Sequence, residues 1–145
     1  MKILEGGRIG IASQALGIAS GAMELAIKYS KERKTFGTEI CNHQAIAFKL
    51  ADMAVKVENA RNLCLKAAWM KDNGGNYSLY GSMAKQYAAD IAMEVTTEAV
   101  QIHGGYGYVK EYHVERLMRE AKLTQIYEGT SEVQKIVISR SILKD

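Results

Sequence analysis

"RIGIASQALGIASGAMELAIKYS", residues 8–30, decides the fold. Ile11, Ala15, Ile18, Ala22, Leu25 and Tyr29 recur at steps of four and three, which is one face of a long helix. Gly10, Gly17 and Gly21 cost helix propensity, so their presence predicts that another backbone passes close by. The apolar run Ile9 to Met23 sits between Arg8 and Glu24 and contains Ser13, Gln14 and Ser20. It is too short and polar for a membrane span, and a soluble helix is expected.

The same rhythm continues outward. Ile46, Leu50, Met53, Val57, Ala60, Cys64 and Ala67 form a second seam, stopped by the "DNGGN" turn of residues 72–76. Ala84, Ala88, Ile91, Val95, Ala99 and Ile102 form a third, which runs into the glycine-rich "HGGYGY" of residues 103–108 and must end there. Val114, Leu117, Met118 and Ala121 mark a shorter amphipathic piece. A last helix is predicted from about Ser131 to Leu143, with Val133, Ile136 and Val137 inward. No segment alternates well enough for a strand, and Trp69 is expected in the core. The 145 residues contain no proline, which favours uninterrupted helices. The expected fold is all-α: one domain, an antiparallel four-helix bundle with a short extra helix.

Composition narrows the function. With 48% hydrophobic and 24% charged residues, the chain is that of a soluble globular domain. A net charge of +3, spread over alternating signs, provides no basic stripe and argues against nucleic acid. "MKILEGGR" reaches a charge and two glycines before any apolar core, unlike a signal peptide. Cys41 and Cys64 form no ligand cluster and are expected as reduced, buried thiols.

Several stretches can carry chemistry. In "QIYEGTSEVQ", residues 125–134, Ser131 and Gln134 fit a capping box, so Glu128 lies in the loop before the last helix, near free N–H groups and the positive dipole end. That suits a phosphate or a thioester oxygen gaining charge, and an ordinary surface glutamate equally well. "QIHGGYGY" follows a helix, so it is no dinucleotide fingerprint; its glycines suit either a helix cap or the approach of a bulky ligand. In "ERKTFG", residues 32–37, Arg33 and Lys34 suit a helix end or phosphates. His103 and His113 lack partners at metal spacing, and no metal is expected.

Taken together and in order, "GRIGIASQALGIA", "ERKTFG", "HQAIAFKLADM", "AVQIHGGYGY" and "IYEGTSEVQ" resemble the carboxyl-terminal helical domain of the acyl-CoA dehydrogenases, nearest to the short-chain, butyryl-CoA type. The resemblance covers essentially the whole chain. It implies that residues 1–145 are that domain, with the family's amino-terminal helical and middle β-domains outside this sequence, and that the fragment alone is inactive. In the family, the glutamate of the "YEG" loop removes an α-proton from the acyl thioester. The β-hydrogen leaves as hydride to the flavin, giving a trans-2-enoyl-CoA.

The resemblance assigns Glu128 as that base. Some relatives, such as isovaleryl-CoA dehydrogenases, carry the base immediately before the arginine matched by Arg8, and here that residue is Gly7, which cannot accept a proton. Glu5, a position where relatives often have aspartate, and Arg8 are implied near the pantetheine arm and thioester, with Gly129 on the substrate side. Arg33, Thr35, Gln44, Gln101, Gly104 and Gly105 are implied to contact the FAD of a neighbouring subunit, and Thr130 and Glu132 the subunit's own FAD phosphates. The implied partners are a short-chain acyl-CoA, further copies in a dimer of dimers, and an electron-transferring flavoprotein. The implied compartment is the cytoplasm in a bacterium or the mitochondrial matrix in a eukaryote. A helical assembly module without catalysis is the alternative. A ferritin-like di-metal bundle would need Glu-x-x-His pairs, which the sequence does not contain.

Overall fold

A computed structural model describes residues 2–144, with side-chain surroundings from Gly6 onward. The order is α1 (Lys2–Glu32), β1 (Lys34–Thr35), β2 (Thr38–Glu39), α2 (Gln44–Asp72), α3 (Tyr77–His103), α4 (Val114–Thr124) and α5 (Ser131–Ile142), with short 3-10 turns at Ile40–Asn42 and Gly104–Tyr108. The all-α bundle is therefore as expected, except for a two-stranded hairpin within "ERKTFG". Its pairs are Lys34 with Glu39 and Thr35 with Thr38, joined through Phe36 and Gly37 in left-handed conformation. Strands two residues long are too short to show alternation.

Small residues set the packing. On α1 the buried stripe is Ala12, Ala15, Ala19, Ala22 and Ala26, with Ile18 beside it. The predicted Ile11, Leu25 and Tyr29 lie at its edge, half-buried. This face meets chiefly α3, the central helix, which also packs against α2, α4 and α5. The expected third seam is buried throughout, and α3 carries a second inner stripe alongside it: Ser82, Lys85, Ala89, Ala92, Thr96, Ala99 and His103. α1 and α3 run parallel, because Arg8 reaches Ser82 at one end and Tyr29 stacks on His103 at the other. α2 runs against both. It buries Met53, Val57, Ala60, Cys64 and Ala67, and its Lys49 and Lys56 pair with Glu98 and Glu94 of α3. Burial pushes the Cys64 thiol up to about 11, leaving it an inert core residue.

Other expectations differ, among them Cys41, which is half-buried. A Cβ on Gly10, Gly17 or Gly21 would meet nothing within 4 Å, so it is the alanines that take up the helix contact. Trp69 is 59% exposed, because it stands two residues past Ala67, roughly 200° around α2 from the buried stripe. On α5, Val133 and Ile136 face outward while Ser131 and Gln134 are buried. The α5 cap is Thr130, one residue earlier than the capping box implies; its hydroxyl accepts from the Val133 N–H at 3.4 Å. α1 from Gly6 to Glu32 is long and apolar enough to cross a membrane by length and composition, as core helices often are; its alanine stripe is buried in the bundle.

Candidate active site

At one end of the bundle, the loop between α4 and α5 closes over the starts of α1 and α3. Gln125 and Ser131 both donate to the Asp90 carboxylate, at 2.8 and 3.1 Å, which ties the two ends of the loop to α3. The Tyr127 hydroxyl donates to Gln14 on α1. Between these ties the backbone turns left-handed at two successive residues, Glu128 at φ 53° and Gly129 at φ 90°. Glycine adopts this freely, but in glutamate it costs on the order of 1 kcal/mol and persists only where the surroundings enforce it.

The turn aims Glu128 at α1. A Cβ built on Gly7 would stand 2.7 Å from Glu128 Oε2 and 3.1 Å from its Cδ, so the carboxyl group fills the space that a side chain at position 7 would need. Oε2 is buried and has no hydrogen-bond partner among the described residues. Arg8, next along α1, is also buried. Its Nη1 donates to the Ser82 hydroxyl at 3.2 Å, and its Nε is likewise buried without a partner. Unpartnered buried groups of opposite charge beside one loop are what a site looks like when its remaining partner is a ligand.

Sequence reasoning missed the supports beneath this loop. Lys85 is fully buried, and its ammonium donates to the Gly129 carbonyl at 2.7 Å. Burial lowers its pKa, opposed by the carboxylates of Asp90, Glu132 and Glu128. Gln134 does not reach back to a helix cap but donates its amide to the carbonyls of Gly129, at 2.9 Å, and Glu128, at 3.3 Å. Thr130 and Glu132 line a shallow polar hollow with Asp90, Lys122 and Lys135. The Glu132 carboxyl is held below its usual range by its own backbone N–H and by the Thr130 hydroxyl.

The opposite end holds a groove of about 650 Å³, lined by Arg33 and Thr35 of the hairpin segment, Gly104 and Gly105 after α3, and Tyr29, His43, His103 and Tyr106. The Arg33 guanidinium lies 5.9 Å from the centre of the Tyr106 ring, and the Thr35 hydroxyl is hydrogen-bonded to His43 Nε2 at 2.9 Å. The His103 ring stacks on Tyr29 with centroids 4.2 Å apart and donates from Nδ1 to the Ala99 carbonyl at 2.8 Å. Burial lowers its pKa. Gln44 and Gln101 do not line the groove; both are exposed, one residue from the lining positions His43 and Ile102. Phe36, 99% exposed at the hairpin tip, is a further candidate that sequence reasoning left out. The side chain of Glu5 lies outside the described residues. Among the described residues no group of three His, Cys, Asp or Glu side chains gathers as a metal set.

Fold and site together define a helical domain that presents, at one end, a half-buried carboxylate with one oxygen buried and unpartnered among the described residues, and at the other an aromatic, ligand-sized groove. The chain belongs to the family described as acyl-CoA dehydrogenase, C-terminal domain, which matches residues 1–143. It is 58% identical over 144 residues to the short-chain specific acyl-CoA dehydrogenase of Clostridium acetobutylicum, covering 99% of this chain and 38% of that protein. It is 56% identical to a subunit of the caffeyl-CoA reductase–Etf complex of Acetobacterium woodii, with the same coverage. The butyryl-CoA dehydrogenase structure from Megasphaera elsdenii superposes with a TM-score of 0.96 at 56% identity, covering 97% of this chain and 37% of that one. The chain thus spans less than two-fifths of the length of these relatives.

Proposed function

We propose that this chain is the carboxyl-terminal domain of an FAD-dependent acyl-CoA dehydrogenase that converts short-chain acyl-CoAs to trans-2-enoyl-CoAs, and that Glu128 is the base that takes the α-proton. The observation that carries the reading is the Glu128 carboxyl group packed on Gly7 with Oε2 buried and unpartnered. A weakly acidic C–H requires a base fixed in place and shielded from water, and a lone pair not already committed to a donor is free to accept the proton. Arg8, next to Gly7, and Gly129, next to Glu128, are assigned to the substrate, with Glu5 on the same helix as Arg8.

The groove suits part of a dinucleotide. A Cβ at Gly104 or Gly105 would meet nothing within 4 Å, so a ligand can approach that backbone, between aromatic walls and beside the exposed Arg33. The residues that would hold FAD are Arg33, Thr35, Gln44, Gln101, Gly104 and Gly105 at this end, and Thr130 and Glu132 at the other. The chemistry supplied by bound FAD is two-electron acceptance, the β-hydrogen leaving as hydride. Gly7 and Tyr29 are about 33 Å apart along α1. One small molecule cannot fill both ends, which favours a flavin shared between neighbouring copies. The A. woodii relative, named as part of an Etf complex, supports an electron-transferring flavoprotein as the redox partner.

Glu128→Gln in the complete enzyme tests the assignment. The variant should retain FAD and bind butyryl-CoA but lose flavin reduction by at least about 1000-fold, the scale on which losing an essential base is felt. Substantial bleaching of the flavin by butyryl-CoA would sink it.

A further inference from the structure

The fully buried Lys85 has no role in the chemistry described so far. An ammonium taken out of water is costly, and proteins retain one only where it is paired or serves a purpose. Among the described residues its hydrogen bond goes to a backbone carbonyl, that of Gly129, rather than to a carboxylate. That carbonyl already accepts from the neutral Gln134 amide, so its satisfaction alone does not require a charge. The loop it belongs to, however, holds two consecutive left-handed residues, one of them the non-glycine Glu128. Such a turn relaxes unless its peptide groups are clamped, and a charged donor clamps more strongly than a neutral one.

We propose that Lys85 is a positioning residue for the Glu128 loop: its buried ammonium grips the Gly129 carbonyl from beneath and so keeps the Glu128 carboxyl group seated against Gly7. Lys85 lies on α3, and Gly7 lies on α1, which packs against α3. The hydrogen bond therefore locks the base to the same two-helix frame that forms the floor of the site. Gln134 shares the Gly129 carbonyl and also holds that of Glu128, and Asp90 holds the two ends of the loop, but of the three only Lys85 is a cation. The inference rests on the reading of Glu128 as the base.

The test is made in the complete flavoenzyme with Lys85→Met, which keeps length and loses the donor, and Lys85→Gln, which keeps a donor without charge. Both are compared with Glu128→Gln by stopped-flow flavin reduction at saturating butyryl-CoA, with acyl-CoA affinity and FAD content measured separately. The expected result for Lys85→Met is a fall of roughly 10- to 100-fold in the reduction rate constant, the scale of a base displaced by about an ångström, with acyl-CoA affinity within about threefold of wild type. Lys85→Gln should recover part of the loss, and it decides the question if Lys85→Met fails to fold. A wild-type reduction rate in a folded Lys85 variant, or a loss confined to affinity or thermal stability, overturns the proposal. If Glu128→Gln is inactive while the Lys85 variants are normal, only this inference fails; if Glu128→Gln is normal, the base assignment fails first.

Discussion

Gly7 and Glu128 occupy one space between them, and that exclusion makes a sharp prediction. Ala at position 7 improves helix propensity, and the atom it would strike is the far end of a flexible side chain, so the fold should tolerate Gly7→Ala. The carboxyl group, however, must move. In the complete enzyme we expect an unchanged melting temperature within about 2 °C and a fall in flavin reduction of roughly 10- to 100-fold. Wild-type reduction would mean that the position of the carboxyl group on Gly7 is not the working one. The loop motif alone left Glu128 open, and it was the family resemblance that singled out Glu128 and drew attention to Gly7 at the rival position. Lys85 was not legible, because lysine ordinarily marks a solvated face. The signal was present all the same: Lys85 falls in phase with Ala89, Ala92, Thr96 and Ala99, where a charge has no business unless it is used.

At the scale of elements, seams of periodic apolar residues located α1, α2 and α3, and the second and third seams are buried where expected, apart from the half-buried Ile46 and Leu50. The terminal helix was harder to read. The face of α5 turned inward carries Ser131 and Gln134, whose hydrogen bonds serve the loop, so hydrophobicity pointed to the wrong side. The end of α3 carries a pH prediction. Burial holds His103 below its ordinary pKa of 6.5, so at pH values between the folded and unfolded pKa the unfolded chain takes up a proton that the folded chain refuses. Stability should therefore be full above pH 6.5 and decline as pH falls below it. Melting curves from pH 8 to 5 should show a flatter decline for His103→Phe, which keeps a ring against Tyr29, than for wild type. Parallel declines would remove His103 as a source of the pH dependence.

Over the whole molecule, the parallel course of α1 and α3 separates Glu128 from the groove. Each end offers a part of a site: Glu128 and Arg8 at one, Arg33, Thr35 and the Gly104–Gly105 backbone at the other. The resemblance implies a division residue by residue, while the geometry shows only Arg33, Thr35, Gly104 and Gly105 meeting in one groove and leaves Gln44 and Gln101 beside it. The glutamines' positions outside the groove could not be read from spacing, since a helix end sets side-chain direction only once its cap is known. Proton abstraction can be followed separately from electron transfer. The most direct measurement is the exchange of the α-hydrogens of butyryl-CoA with deuterated water on the complete enzyme, followed by NMR, for wild type and Glu128→Gln. Enzyme-dependent exchange is expected in the wild type, and none above the solution rate in the variant. Equal exchange in both would place the base elsewhere.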